Sequence, residues 1–81
     1  MKKFIIEGLG WFGVIAIVGA YALLSFGLIS SDQFIYQILN LTGAVGIVVD
    51  ALQAKNYQPA VLNTIWFFVA LIVIVRMAMG L

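Results

Sequence analysis

Three long apolar stretches, separated by only two short polar breaks, dominate this chain of 81 residues. They cover about residues 5–29, 34–53 and 59–79. Crossing about 30 Å of hydrocarbon takes roughly 20 apolar residues in an α-helix. Barrel strands would alternate polar and apolar residues, which these stretches do not. The pattern predicts an all-α membrane protein, in which residues 1–81 form a single bundle of three transmembrane helices.

The composition favours lipid over water as the solvent and excludes several functions. Hydrophobic residues make up 65% of the chain and charged residues 9%, whereas a soluble domain carries about 25% charged residues. The few basic residues form no cluster for phosphate binding, so nucleic acid is not an expected partner. Cysteine and histidine are absent, and no nucleophile stands beside a base. We therefore expect no enzyme, no cofactor and no metal site.

The two breaks predict tight turns between antiparallel helices. In the first, Ser30 and Gln33 have the spacing of a capping box at the start of the second helix. The second break ends at Pro59. Proline at the first position of a helix removes no hydrogen bond that the helix needs, so Pro59 is expected to begin the third helix.

The basic residues predict how the bundle is oriented. Lys2, Lys3 and Lys55 fall on one side of the membrane, and Arg76 falls near the other. Cytoplasmic loops carry an excess of lysine and arginine. The N-terminus is therefore predicted to be cytoplasmic.

Four residues within the apolar stretches are candidates for binding a solute. Asn40 lies in the second stretch, Asn63 and Trp66 share a face of the third, and Tyr21 lies in the first. Polar groups inside membrane spans are costly and often mark functional sites. Carboxamides both donate and accept hydrogen bonds, and an indole offers a stacking face, so the four residues predict a small cavity for a neutral polar solute. Alternatively, the asparagines only hydrogen-bond across helices and hold the bundle together.

Helical periodicity predicts which faces point inward. On the second helix this face carries Tyr36, Asn40, Gly43, Ile47 and Asp50. On the first it carries Gly10, Val14, Ile17, Tyr21 and Ser25, and on the third Asn63, Trp66, Ala70 and Ile74. Small residues allow helix backbones to approach closely in membranes. Close contacts are expected at Gly10, Gly13, Gly43 and Gly46.

Asp50, near the end of the second helix, has two interpretations. If its carboxylate faces water or Lys55, it is an ordinary charge at the membrane interface, and this is the favoured interpretation. If it faces the bundle, it is a candidate for proton coupling. Glu7 has the same two interpretations, with the interface favoured.

Short motifs along nearly the whole chain carry a family resemblance: Gly10-Trp11, Ala20-Tyr21, Leu24-Ser25, Tyr36-Gln37, Leu39-Asn40-Leu41, Gly43-Ala44, and Leu62-Asn63 with Trp66. Together they resemble an uncharacterised family of small bacterial three-helix, permease-like membrane proteins. More distantly, Gln58-Pro59 followed by Asn63 and Trp66 resembles the third helix of the SemiSWEET and PQ-loop (MtN3-type) half-transporters. The Pro-Gln pair in the first helix of that group has no counterpart here, because Pro59 is the only proline.

The resemblance to the small bacterial family implies a protein of the bacterial inner membrane and carries no established activity, whereas the resemblance to SemiSWEET proteins implies transport of a small polar solute. Three helices enclose almost no cavity, so we expect a homo-oligomer, with a dimer favoured. Asn63 and Trp66 would line its path, with Asn40 and Tyr21 behind them. The alternative is a structural or regulatory subunit that packs against a larger membrane protein. An ion channel is disfavoured because no acidic residue lies at mid-membrane to form a ring.

Overall fold

The computed structural model describes residues 2–81 and contains three α-helices, α1 (Lys3–Ser25), α2 (Phe34–Gln53) and α3 (Tyr57–Met79). No strand occurs within these residues. Each helix is long and apolar enough to cross a membrane. The longest dimension of the bundle is 39 Å, similar to the thickness of about 40–45 Å of a bilayer with its head groups. The predicted all-α architecture of three helices is confirmed.

All three helices end in the same backbone arrangement, with one residue in the left-handed conformation. These residues are Gly27 (φ 76°), Lys55 (φ 57°) and Gly80 (φ 75°). After α1, the Gly27 N–H donates to the Leu24 carbonyl at 3.0 Å. The Leu28 N–H donates to the Leu23 carbonyl at 2.9 Å, which completes the bond pair of a Schellman motif. α1 therefore ends at Ser25, whereas the apolar stretch predicted an end at about residue 29.

The start of α2 differs from the predicted capping box. α2 begins at Phe34, and its N-cap residue Gln33 makes no side-chain capping bond. The Gln33 N–H donates to the Ser30 carbonyl at 3.1 Å, so Ser30 opens the turn and lies too far upstream to cap the helix. Its hydroxyl donates to the Asp32 carboxylate. The predicted capping role of Ser30 and Gln33 is wrong.

The start of α3 lies two residues earlier than predicted, at Tyr57. Pro59 therefore occupies the third helical position and not the first. Because the first four N–H groups of a helix have no partner within it, proline at this position still removes no hydrogen bond. The turn at residues 54–56 is correspondingly short.

α2 lies between the other two helices and packs against both. Within residues 2–81, no Cα atom of α1 comes within 8 Å of a Cα atom of α3. The short turns make each helix antiparallel to its neighbour in sequence. α1 and α3 are therefore the walls of an open groove, and α2 is its floor.

Small residues form the contacts between the helices. The buried apolar residues are Ile6, Ala16, Ala20, Ala44, Ala51, Ala60 and Ala70. No large side chain in the described part of the chain is fully buried, and long apolar side chains such as Ile15 and Ile72 point outward. A soluble domain buries such side chains, whereas a bundle in lipid packs through small residues. The packing is therefore compatible with a bundle of helices in a membrane.

The closest contact between helices joins α1 and α2 at glycines. A Cβ atom built on Gly46 would lie 3.1 Å from the carbonyl carbon of Leu9. One built on Gly43 would lie 3.0 Å from the Gly13 carbonyl oxygen. The expected close approach through these glycines is therefore present, and the two backbones touch without intervening side chains.

The buried face of α1 differs in part from the predicted one. It consists of Ile6, Gly10, Gly13, Ala16 and Ala20. Val14 is 42% exposed, Tyr21 is 66% exposed and Ser25 is also exposed, so the prediction that these three residues point inward is wrong. α1 is apolar around most of its circumference, and the positions of its small residues, not its hydrophobic periodicity, determine which face packs.

Candidate functional site

The groove between α1 and α3 is the main concave feature near the predicted site residues. Its volume is about 260 Å³. It is lined by Ile17, Tyr21, Tyr36, Asn40, Leu62, Asn63 and Trp66. We call this feature the polar groove. No charged side chain is among its lining residues.

The polar groove brings together the four residues singled out in the sequence. Asn40 on α2 and Asn63 on α3 are buried, with 5% and 7% of their surface exposed. Tyr21 on α1 is 66% exposed and Trp66 on α3 is 46% exposed. The asparagines therefore lie deep in the groove and the two aromatic rings lie at its edges, whereas the sequence analysis had placed Asn40 and Tyr21 behind Asn63 and Trp66.

Both asparagines hydrogen-bond within their own helices. The Asn40 Nδ2 atom donates to the Tyr36 carbonyl at 2.8 Å, and the Asn63 Nδ2 atom donates to the Pro59 carbonyl at 2.9 Å. Each acceptor lies four residues earlier in the same helix. The alternative expectation, that the asparagines hydrogen-bond across helices, does not describe this arrangement.

The amide oxygens of the two asparagines remain available as acceptors. Neither oxygen accepts a hydrogen bond from another described side chain. Every side-chain nitrogen or oxygen atom that is fully buried in residues 2–81 has a hydrogen-bond partner. Because the amide oxygens of Asn40 and Asn63 have no partner, these two atoms are not fully buried and retain some accessible surface. Hydrocarbon cannot donate a hydrogen bond, and an unpaired polar group in it is costly. The groove therefore suits an occupant that carries hydrogen-bond donors and no net charge.

Asp50 faces α1 and does not line the polar groove. A Cβ atom built on Gly10 would lie 2.7 Å from the Asp50 Cγ atom, so the carboxylate packs over that glycine. Asp50 is half-buried, whereas Glu7 is exposed. The Asp50 side chain therefore packs against α1 while part of its surface stays exposed. Among residues 2–81, no group of three acidic side chains could hold a metal ion.

A second cavity adjoins the polar groove between α2 and α3. Its volume is about 100 Å³, and it is lined by Tyr36, Gln37, Asn40, Trp66, Val69, Ala70 and Val73. We call it the turn-side cavity, because Gln37 lies one turn into α2 and next to the α1–α2 turn. The sequence analysis did not select Gln37 as a site residue. Its position three residues before Asn40, on the same helical face, was the available signal.

Three helices that are long and apolar enough to cross a membrane, packed through glycine and alanine around a groove with two carboxamides, are compatible with a small three-helix membrane protein. The chain belongs to an uncharacterised family, whose model matches residues 6–80. The match covers all the residues that line the polar groove and the turn-side cavity. No curated protein and no solved structure matches the chain.

Proposed function

We propose that this protein is a half-transporter of the bacterial inner membrane, in which two copies carry a small, uncharged polar solute. The accessible amide oxygens of Asn40 and Asn63 in the polar groove support the proposal most directly. They would accept hydrogen bonds from hydroxyl or amide groups of the solute. Trp66 and Tyr21 would cover its less polar face. The lack of charged lining residues favours a neutral solute over an ion.

A second copy would complete the site. α1 and α3 stay apart, so the polar groove is open along its length. If lipid filled it, two carboxamide oxygens would face hydrocarbon without donors. Two grooves facing each other across a two-fold axis would enclose a shared cavity, and closed two-fold symmetry is the commonest form of association. The dimer and its resemblance to SemiSWEET transporters are part of this proposal.

The proposed orientation places the N-terminus and the α2–α3 turn in the cytoplasm. Lys2, Lys3 and Lys55 lie at that end of the bundle, which agrees with the excess of basic residues in cytoplasmic segments. The α1–α2 turn and the end of α3 would then lie on the opposite side of the membrane. Solute would pass between these two sides through the shared cavity.

The two tryptophans allow a direct test of solute binding. Trp11→Phe leaves Trp66, at the edge of the polar groove, as the only indole. We expect its fluorescence to change saturably with one class of sugars or small neutral metabolites, because the solute packs against the ring. The matched control is Trp66→Phe, which keeps Trp11 on the outer surface of α1 and should show no change. If neither binding nor flux into liposomes is found across such a panel, the proposal fails.

A second candidate function is a structural or regulatory subunit that packs against a larger membrane protein. The same asparagine oxygens favour it, because a polar side chain from a partner helix could donate to them as well as a solute could. Gentle solubilisation of native membranes distinguishes the two candidates. A larger protein that purifies at a fixed stoichiometry, and is lost in the Asn40→Leu and Asn63→Leu variants, supports the subunit. Recovery of dimers alone supports the half-transporter.

A further inference from the structure

The side of α2 that faces away from the polar groove carries another concave feature, between α2 and α3. Val49 lies nine residues after Asn40, and at about 100° per residue the two side chains point to opposite faces of the helix. A hollow of about 250 Å³ is lined by Val45, Val48, Val49, Thr64, Phe67 and Phe68. It shares no lining residue with the polar groove, so the proposed solute site does not use it.

A neighbouring hollow extends this one toward the α2–α3 turn. Its volume is about 260 Å³, and it is lined by Leu52, Tyr57, Ala60, Val61, Thr64 and Ile65. Because Thr64 lines both hollows, they form one continuous feature, which we call the outer crevice. Val45 lies ten residues before Lys55 in the turn, and a rise of about 1.5 Å per residue makes that distance about 15 Å. This is half of the hydrocarbon thickness of about 30 Å, so the outer crevice is as deep as one leaflet of a bilayer.

The walls of the outer crevice suit hydrocarbon. Among its lining residues only Thr64 and Tyr57 have polar side chains, and the Thr64 hydroxyl already donates to a backbone carbonyl of its own helix at 2.7 Å. Apolar walls do not hold ordered water, and an empty space would lose dispersion contacts. Val45, Ile65 and Phe68 are each about half exposed, so the crevice opens sideways and a flexible apolar chain can enter it.

The turn end of the outer crevice carries a positive charge. Lys55 and Asp50 are the only charged residues between positions 45 and 75. The Asp50 carboxylate packs over Gly10 of α1, whereas Lys55 is exposed and lies two residues before Tyr57. Lysines near a membrane surface attract anionic lipids, and tyrosines are enriched at the level of the head groups. This end of the crevice therefore favours a negatively charged head group.

We propose that the outer crevice binds one acyl chain of an anionic phospholipid, whose head group lies against the Lys55 ammonium. The chain runs past Thr64 and ends near Phe67 and Phe68, whose rings pack edge to face with centroids 5.3 Å apart. Hydrocarbon here leaves no buried polar group unpaired, whereas it would do so in the polar groove. A second copy of the chain is therefore needed at the polar groove and not at the outer crevice. The inference does not depend on solute transport.

Quenching of a single tryptophan by brominated lipids tests this site. In a background of Trp11→Phe and Trp66→Phe, Phe68→Trp places the only indole in the outer crevice. The protein is reconstituted in phosphatidylcholine vesicles that contain an increasing share of brominated phosphatidylglycerol or, separately, brominated phosphatidylcholine. We expect the anionic lipid to bind about fivefold more strongly, the factor that corresponds to one lysine near the surface. Lys55→Gln should remove this preference.

Two controls separate a lipid site from general attraction to the bundle. Lys3→Gln removes a positive charge from α1, at the same end of the bundle, and should keep the preference. Ile72→Trp, in the same background, places the indole on the outer face of α3 away from the crevice, and both lipids should quench it equally. Equal quenching of Phe68→Trp by the two lipids, or a preference that survives Lys55→Gln, overturns the inference. So does protection of Phe68→Trp from both lipids, because a second copy would then cover the crevice.

Discussion

Gly46→Ala is expected to destabilise the packing of α1 on α2 by about 3 kcal/mol, at the upper end of the usual range for overpacking. The new Cβ atom would lie 3.1 Å from the carbonyl carbon of Leu9 and still closer to its oxygen. Both atoms belong to the backbone and cannot move aside as the end of a side chain could. The two helices must therefore move apart, which weakens the whole contact between α1 and α2.

Gly19→Ala is the matched control for this substitution. Gly19 also lies within α1, but no atom lies within 4 Å of a Cβ atom built there. We expect its effect on stability to stay within about 0.5 kcal/mol. Stability can be followed in mixed micelles through energy transfer between labelled cysteines on α1 and α2, as sodium dodecyl sulfate is added. Equal stability of the two alanine variants would contradict the observed helix contact.

Asn40→Leu and Asn63→Leu are each expected to weaken solute binding about tenfold, and about a hundredfold together, because each removes one hydrogen bond of about 1.4 kcal/mol. Leucine has nearly the same shape as asparagine, so the groove keeps its size while its acceptors disappear. Binding is measured by Trp66 fluorescence in the Trp11→Phe background. Full affinity in the double leucine variant would contradict the proposed contacts.

The control for these variants is a hydrogen bond of the same kind outside the groove. The Thr64 hydroxyl donates to the Ala60 carbonyl at 2.7 Å, and Thr64 faces an apolar hollow between α2 and α3. Thr64→Val should therefore leave binding unchanged. The asparagine variants should also leave helix packing intact, because both asparagines bond within their own helices. A large loss of stability in the double variant would instead indicate that they hold the helices together.

Hydropathy alone was enough to predict the three helices but not where the first one ends. Phe26, Leu28 and Ile29 continue the apolar stretch past the end of α1. The helix stops because Gly27 adopts a left-handed conformation, which costs glycine little and other residues more. A glycine within an apolar stretch can mark the end of a helix through its backbone conformation. The mean hydropathy of the stretch does not detect it.

The residues of the polar groove were predictable only where the helical periodicity of one helix determines which side chains point inward. The spacing of Tyr36, Asn40 and Gly43 placed Asn40 on the inner face of α2. The groove exists because α1 and α3 lie apart. Their separation depends on which small residues of neighbouring helices pack against each other, and the sequence pattern of a single helix does not reveal that. Gln37 was overlooked for a related reason, because its partner is a backbone carbonyl in the preceding turn.

Accessibility of the groove to water is the most direct test of the central claim that Asn40 and Asn63 line a polar site. Single cysteines at these positions, in a chain with no native cysteine, can be exposed to membrane-impermeant thiol reagents in proteoliposomes. The outward-facing Ile72 provides the lipid-exposed reference. We predict that cysteines at both asparagine positions are labelled while the one at Ile72 is not. Protection of both groove positions to the level of Ile72 would contradict the account.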